Sequence, residues 1–222
     1  MSAKALVLDF GGVISRTMFE THDLTEAALG LKAGTLTWRG PFDPDSDPLW
    51  SAMQRQDITE RDYWLTRTIE TGKIAGHNWT KMEDFVRAAR GAEPKAIIRP
   101  EALDAIHRAK AAGCKLGILS NELDLFYGAD FRTKLPFLAQ FDTIIDATYT
   151  QILKPDPRAY TSVCSDLGLP ATECVFVDDQ MKNIRGAENA GMQVVHFDVR
   201  NPGLSYAKAL SLLNIHTTGE AR

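Results

Sequence analysis

Five short apolar runs punctuate the chain: residues 4–9, Lys115–Leu119, Asp142–Ile145, Cys174–Val177 and Gln193–Phe197. They are continuous rather than alternating, so each predicts a strand covered on both faces, the habit of parallel sheets. Between most of them the period shifts to that of a helix. Glu101–Ala112 opens after Pro100 and stops at Gly113, Pro157–Leu167 stops at Gly168, and Lys182–Ala190 stops at Gly191. Strands and helices in this alternation predict an α/β protein with a doubly wound parallel sheet.

The strand signal vanishes between residues 15 and 95. Two helix-starting signatures stand there instead, Thr59-Glu-Arg-Asp62 and Thr80-Lys-Met-Glu83. Apolar helical spacing follows at Trp64, Leu65 and Ile69 and at Met82, Phe85 and Val86. The middle of the chain therefore predicts a helical insertion. Trp50, Tyr63, Trp64 and Trp79 are expected to fill its interior, and residues 217–222 are expected to be a frayed tail.

Composition narrows the class without choosing a function. At 222 residues the chain is long enough for one main domain plus an insertion. A formal net charge of −4, with 24% charged residues, offers no basic surface for a nucleic-acid backbone. Cys114, Cys164 and Cys174 show no paired metal-ligand spacing and sit in or beside apolar segments, so buried thiols in a reducing, cytoplasmic setting are expected. No apolar run approaches a bilayer's thickness, and with the N-terminus passing directly into a strand no cleavable leader is expected. The five histidines, His22, His77, His107, His196 and His216, include no pair at ligand spacing.

Chemistry gathers where the strands end, which in such sheets is where ligands bind. Asp9 follows the first run, Ser120-Asn121 the second, Asp178-Asp179 the fourth, and Lys154 stands in Leu153-Lys-Pro-Asp-Pro157. Each alone could cap a turn or sit in solvent. Together a nucleophilic carboxylate, a hydroxyl with an amide, a cation and a carboxylate pair compose a metal and phosphate site.

These ordered motifs, Asp9-Phe-Gly-Gly-Val13, Leu119-Ser-Asn121, Leu153-Lys-Pro-Asp-Pro-Arg-Ala-Tyr160 and the Val177-Asp-Asp-Gln-Met-Lys-Asn183 segment, resemble those of the haloacid dehalogenase-like hydrolases. The similarity is strongest to small sugar-phosphate phosphatases and to the N-terminal phosphatase domain of soluble epoxide hydrolases. It implies a Rossmann-like core, residues 1–15 and 96–216, with a helical cap over 16–95. It implies a magnesium-dependent hydrolase of small phosphorylated metabolites that forms an aspartyl-phosphate on Asp9. Asp9, the Gly11 carbonyl, Asp178 and Asp179 would hold the metal, with Asn183 orienting them. Lys154 would pair with Asp9 and phosphate, and Ser120 and Asn121 would hold the other phosphoryl oxygens. Within the cap, Trp38 and Arg39 are candidate substrate contacts. No nucleic-acid or membrane partner is expected, and a monomer and a homodimer are both open.

Gly11 departs from the pattern, since many phosphatases of this family carry there an acid that protonates the leaving group. Two rivals follow: a metal-independent 2-haloacid dehalogenase, and a weakly active or non-catalytic binding protein. The acid pair at Asp178-Asp179 argues against the first, because carboxylates crowded beside Asp9 require a cation.

Overall fold

The computed structural model describes residues 3–90, 94–121, 123–127 and 129–215. His216, the expected tail 217–222 and residues 91–93 of the expected insertion lie outside the described residues. Five strands form the sheet: β1 (Ala5–Leu8), β2 (Lys115–Ser120), β3 (Thr143–Asp146), β4 (Cys174–Asp178) and β5 (Gln193–His196). The helices in chain order are α1 (His22–Ala28), α2 (Pro48–Gln54), α3 (Glu60–Ile74), α4 (Met82–Arg90), α5 (Pro100–Ala111), α6 (Leu123–Tyr127) and α7 (Ala147–Thr150). They continue with α8 (Pro157–Leu167), α9 (Met181–Asn189) and α10 (Pro202–Leu212).

The sheet order is β3-β2-β1-β4-β5 and every pairing is parallel. β1 and β4 are buried along their whole length, as continuous apolar runs require when helices cover both faces. α8 and α9 pack together on one face, where Val7, Leu119 and Phe176 meet Tyr160, Val163 and Ile184. α5 and α10 pack together and against the same central strands. The strand order reverses at β1, which places the crevice beyond the carboxyl ends of β1, β2 and β4.

Contacts divide the chain into two compact units: Met1–Arg16 with Ile98–Leu123 and Leu135–Arg222, and Thr17–Ile97 with Asp124–Lys134. The second unit thus includes a segment that the sequence reading placed in the core. It is organised around an aromatic cluster of Phe19, Trp38, Trp50, Tyr63 and Phe85. Thr59 caps α3 as expected, with Asp62 completing a reciprocal capping box. The buried face of α3 differs from the apolar spacing, however. Leu65 and Ile69 are exposed, while Tyr63 and Thr71 are buried. The cause is Asp47, a buried carboxylate that accepts from the Tyr63 hydroxyl at 2.9 Å and from Arg67 at 2.6 Å. Satisfying that charge fixes the rotation of the helix, since a buried unpaired carboxylate would be far more costly than exposing two aliphatic side chains. Among the described residues no helix is long and apolar enough to cross a membrane.

Candidate active site

Asp9 leaves β1 level with the end of β4, because Leu8 is paired with Val177. Its backbone N–H donates to the Val177 carbonyl at 2.9 Å, which continues the ladder one residue and fixes the root of the side chain. Residues 10–14 then turn tightly. Gly12 adopts φ +77°, the left-handed region that favours glycine, and a Cβ there would lie 2.6 Å from Asp179 Oδ2. The turn and the Asp179 carboxylate can approach only because Gly12 has no side chain. Gly11 is different: its φ is −68°, and a Cβ built on it meets nothing within 4 Å. Neither strain nor crowding requires glycine at position 11, since a Cβ there enters open space.

Lys154 is 4% exposed and bridges two carboxylates, with Nζ 2.9 Å from Asp9 Oδ1 and 2.7 Å from Asp178 Oδ2. Burial works against its charge, but Asp178 and then Asp9 more than offset this and hold its pKa above the ordinary lysine value. Asp9 goes the other way. Burial pushes its pKa up to about 7, Lys154 opposes the rise, and the nearby charge of Asp178 adds to it. One ammonium does not neutralise the site.

Asp178 is fully buried and engaged by the chain at both of its oxygens. Besides Lys154, its oxygens accept from the Gln180 backbone N–H at 2.8 Å and from Asn183 Nδ2 at 3.1 Å. Asn183 thus stands one turn into α9 with its amide turned onto Asp178, and its Oδ1 is buried without a hydrogen-bond partner. Across the crevice, the Asn121 side chain is joined to the Lys154 peptide at both ends: Oδ1 accepts from Lys154 N at 2.7 Å, and Nδ2 donates to Lys154 O at 3.2 Å. This ties the end of β2 to the lysine. Ser120 closes the same strand and is 6% exposed.

Ligand oxygens of Asp9, Asp178 and Asp179 all lie within 4.8 Å of one another. Among the described residues no other group of three or more His, Cys, Asp or Glu side chains converges in this way. The donor set suits a small hard cation, which takes carboxylate and carbonyl oxygens. The excess negative charge on a buried cluster with one lysine is the physical reason such a cation would be held.

The other candidate residues fall in the second unit. Trp38 is 7% exposed and inside the aromatic cluster, edge-on to Phe19 at 5.3 Å and to His22 at 4.2 Å. Arg39 beside it is exposed. Three groups around the site carry no sequence signal. Arg99 donates from Nε and Nη2 to the Gly12 carbonyl, Tyr206 donates to the Val13 carbonyl, and His196 Nε2 lies 3.0 Å from the Asp179 carbonyl. A carbonyl can only accept, so that histidine nitrogen carries the hydrogen. His196 stands level with Asp178 in the β4–β5 ladder, a neighbourhood visible only once the strand order is known.

The haloacid dehalogenase-like hydrolase family profile matches residues 3–191. Phosphatase MT3486 of Mycobacterium tuberculosis is 29% identical over 146 residues, which are 66% of this chain and 64% of that relative. The chain thus spans just under two thirds of that relative's length. A phosphoglycolate phosphatase of Psychrobacter arcticus is 22% identical over 96% of this chain and 90% of its own. Among solved structures, the HAD-hydrolase YfnB of Bacillus subtilis bound to magnesium superposes with a TM-score of 0.68 at 16% identity, covering 97% of this chain and 100% of that one. At that identity the likeness speaks for the fold.

Proposed function

Since the chain belongs to the haloacid dehalogenase-like hydrolases, we propose that it is a magnesium-dependent phosphatase of small phosphorylated metabolites with Asp9 as nucleophile. The observation that carries this reading is Lys154, buried and bridging Asp9 and Asp178 within a cluster of three carboxylates. A nucleophile that attacks a phosphoryl dianion needs positive charge on both sides of the forming bond. Lys154 supplies part of it on the protein side.

Asp9, Asp178 and Asp179, with the Gly11 carbonyl, would hold the magnesium ion, whose chemistry there is charge neutralisation of carboxylate and phosphoryl oxygens. Asp178 would hold Lys154 in place through its 2.7 Å bond, as Asn183 and Gln180 hold Asp178. Ser120 and the Asn121 backbone would receive phosphoryl oxygens, with the Asn121 side chain fixing the Lys154 peptide rather than the substrate. Asp9 Oδ would attack phosphorus, the P–O bond to the leaving group would break, and water would later release phosphate from the aspartyl-phosphate. With glycine at position 11, no carboxylic acid there protonates the departing oxygen. Substrates whose leaving groups depart unprotonated, namely acyl, aryl and anomeric sugar phosphates, are therefore favoured over primary alkyl phosphates.

The test is phosphate release from a panel of phosphorylated metabolites, with magnesium and with a chelator. Release that requires magnesium is expected. Chelator-resistant release of halide from 2-chloropropionate would instead establish hydrolysis at carbon. No turnover of any substrate by a protein that still binds magnesium and phosphate would favour the binding-protein alternative.

A further inference from the structure

We propose that Arg99 is a positioning residue for the Asp9–Val13 turn, acting through the Gly12 carbonyl; the inference rests on the phosphatase reading, because that turn carries the groups assigned to metal and phosphate. Arg99 is 2% exposed. Its Nε and Nη2 both donate to the Gly12 carbonyl, at 3.2 and 3.0 Å. Its guanidinium lies over the ring of Phe197 at 5.5 Å, and Phe197 packs edge-on to Tyr206 at 5.1 Å. The Tyr206 hydroxyl donates to the Val13 carbonyl at 3.0 Å, and the Arg99 backbone N–H donates to the Ile14 carbonyl at 3.0 Å. Three consecutive carbonyls of the turn are thus each held by a donor from Arg99 or from the tyrosine packed beside its stacking partner.

Two adjacent glycines give this stretch more conformational freedom than any other pair of residues would. The Gly11 carbonyl, the assigned metal ligand, points one way only if that freedom is removed. On one side the Asp9 N–H is pinned to Val177 at 2.9 Å. On the other side Arg99 fixes the Gly12 carbonyl, and with it the peptide that stands against Asp179. Arginine suits the task because its rigid fork brings two donors to one oxygen, whereas a lysine brings one flexible donor. Pro100 follows, and the extended backbone of Arg99, φ −70° and ψ 127°, is the conformation that a residue before proline prefers. An interior that needed only filling would take an apolar side chain here, since a buried guanidinium must be hydrogen-bonded to be tolerated.

The experiment uses the full chain, stripped of metal and titrated with Mn²⁺ while free Mn²⁺ is followed by electron paramagnetic resonance. Arg99→Met should weaken Mn²⁺ binding by about tenfold or more, as loss of a group behind a metal ligand does. Arg99→Lys should fall between it and the native protein, and Tyr206→Phe should show a smaller loss. With an aryl phosphate as substrate, kcat should fall more than KM rises. A purely structural role would lower the melting temperature while leaving Mn²⁺ affinity and kcat at native values, and that result overturns the proposal. Should Arg99→Met fail to fold, native affinity in Arg99→Lys together with native affinity in Tyr206→Phe overturns it equally. A native protein that binds no Mn²⁺ would overturn the metal-dependent reading itself, and the inference with it.

Discussion

Replacing Asp9 by asparagine should abolish turnover and at the same time stabilise the metal-free protein at neutral pH. Asp9 is held at a pKa of about 7 against an ordinary 3.8, first by burial and then by Asp178, with Lys154 opposing them. A folded-state pKa above the unfolded value means that the group favours folding below pH 3.8, and that this contribution is lost as pH rises through about 7. At about 1.4 kcal/mol for each tenfold step, the gap between the two values sets a ceiling of about 4 kcal/mol on the cost of the ionised Asp9 at high pH. Asparagine recovers only part of it, because its amide N–H group is a poorer neighbour than a carboxylate for the Lys154 ammonium 2.9 Å from Asp9. A gain of about 2 kcal/mol is expected, which for a chain of this size raises the melting temperature by roughly 4–8 °C. Thermal unfolding in a chelator, at pH 7.5 and again toward pH 4, is the assay. The gain should shrink steadily on acidification, and magnesium should stabilise the native protein more than the variant. A variant that melts below the native protein at pH 7.5, with a difference that does not change with pH, would refute the reasoning.

Gly11→Asp should fold normally, since its Cβ enters open space at an unstrained φ of −68°. It should speed primary alkyl phosphates by roughly a hundredfold while changing aryl phosphates little, and equal rates on both classes in the native protein would count against it. His22 is buried against Trp38, and burial, then the Arg39 charge, lowers its pKa to about 4 from 6.5. A depressed histidine pKa gives stability that is present above 6.5 and lost as pH falls through about 4, up to roughly 3 kcal/mol. His22→Phe keeps a ring beside Trp38 and should flatten that acid limb in urea unfolding between pH 7 and 4; parallel curves for the two proteins would contradict it.

The sheet was legible because its strands are apolar on both faces, so that Cys174–Val177 needs no partner to be recognised. The helices beside it were legible from their stops, such as Gly168, which takes φ +63° as a helix-ending residue in the left-handed region must. The polar strand ends were equally visible, since Asp9, Ser120 and Asp178 stand where an apolar run gives way to polar chain, whereas Lys154, in the connection between α7 and α8, was visible from its Leu153-Lys-Pro-Asp-Pro157 motif. Arg99 was invisible for the opposite reason. Its acceptor, the Gly12 carbonyl, is 87 residues away and is backbone, which carries no sequence signature. Asn121 shows a subtler gap: its identity suggests a phosphate ligand, yet its amide is taken up by the Lys154 peptide. In the second unit, the apolar spacing of Leu65 and Ile69 pointed to one face of α3, and the charge of Asp47, reaching from outside the helix, selected another.

The central claim is that Asp9 becomes phosphorylated, and mass spectrometry of enzyme quenched in acid during turnover of an aryl or acyl phosphate tests it most directly. The peptide containing Asp9 should gain the mass of one phosphoryl group, the gain should require magnesium, and it should be absent from Asp9→Asn. Phosphate release at full rate from Asp9→Asn, or label on a different residue of the native protein, would contradict it.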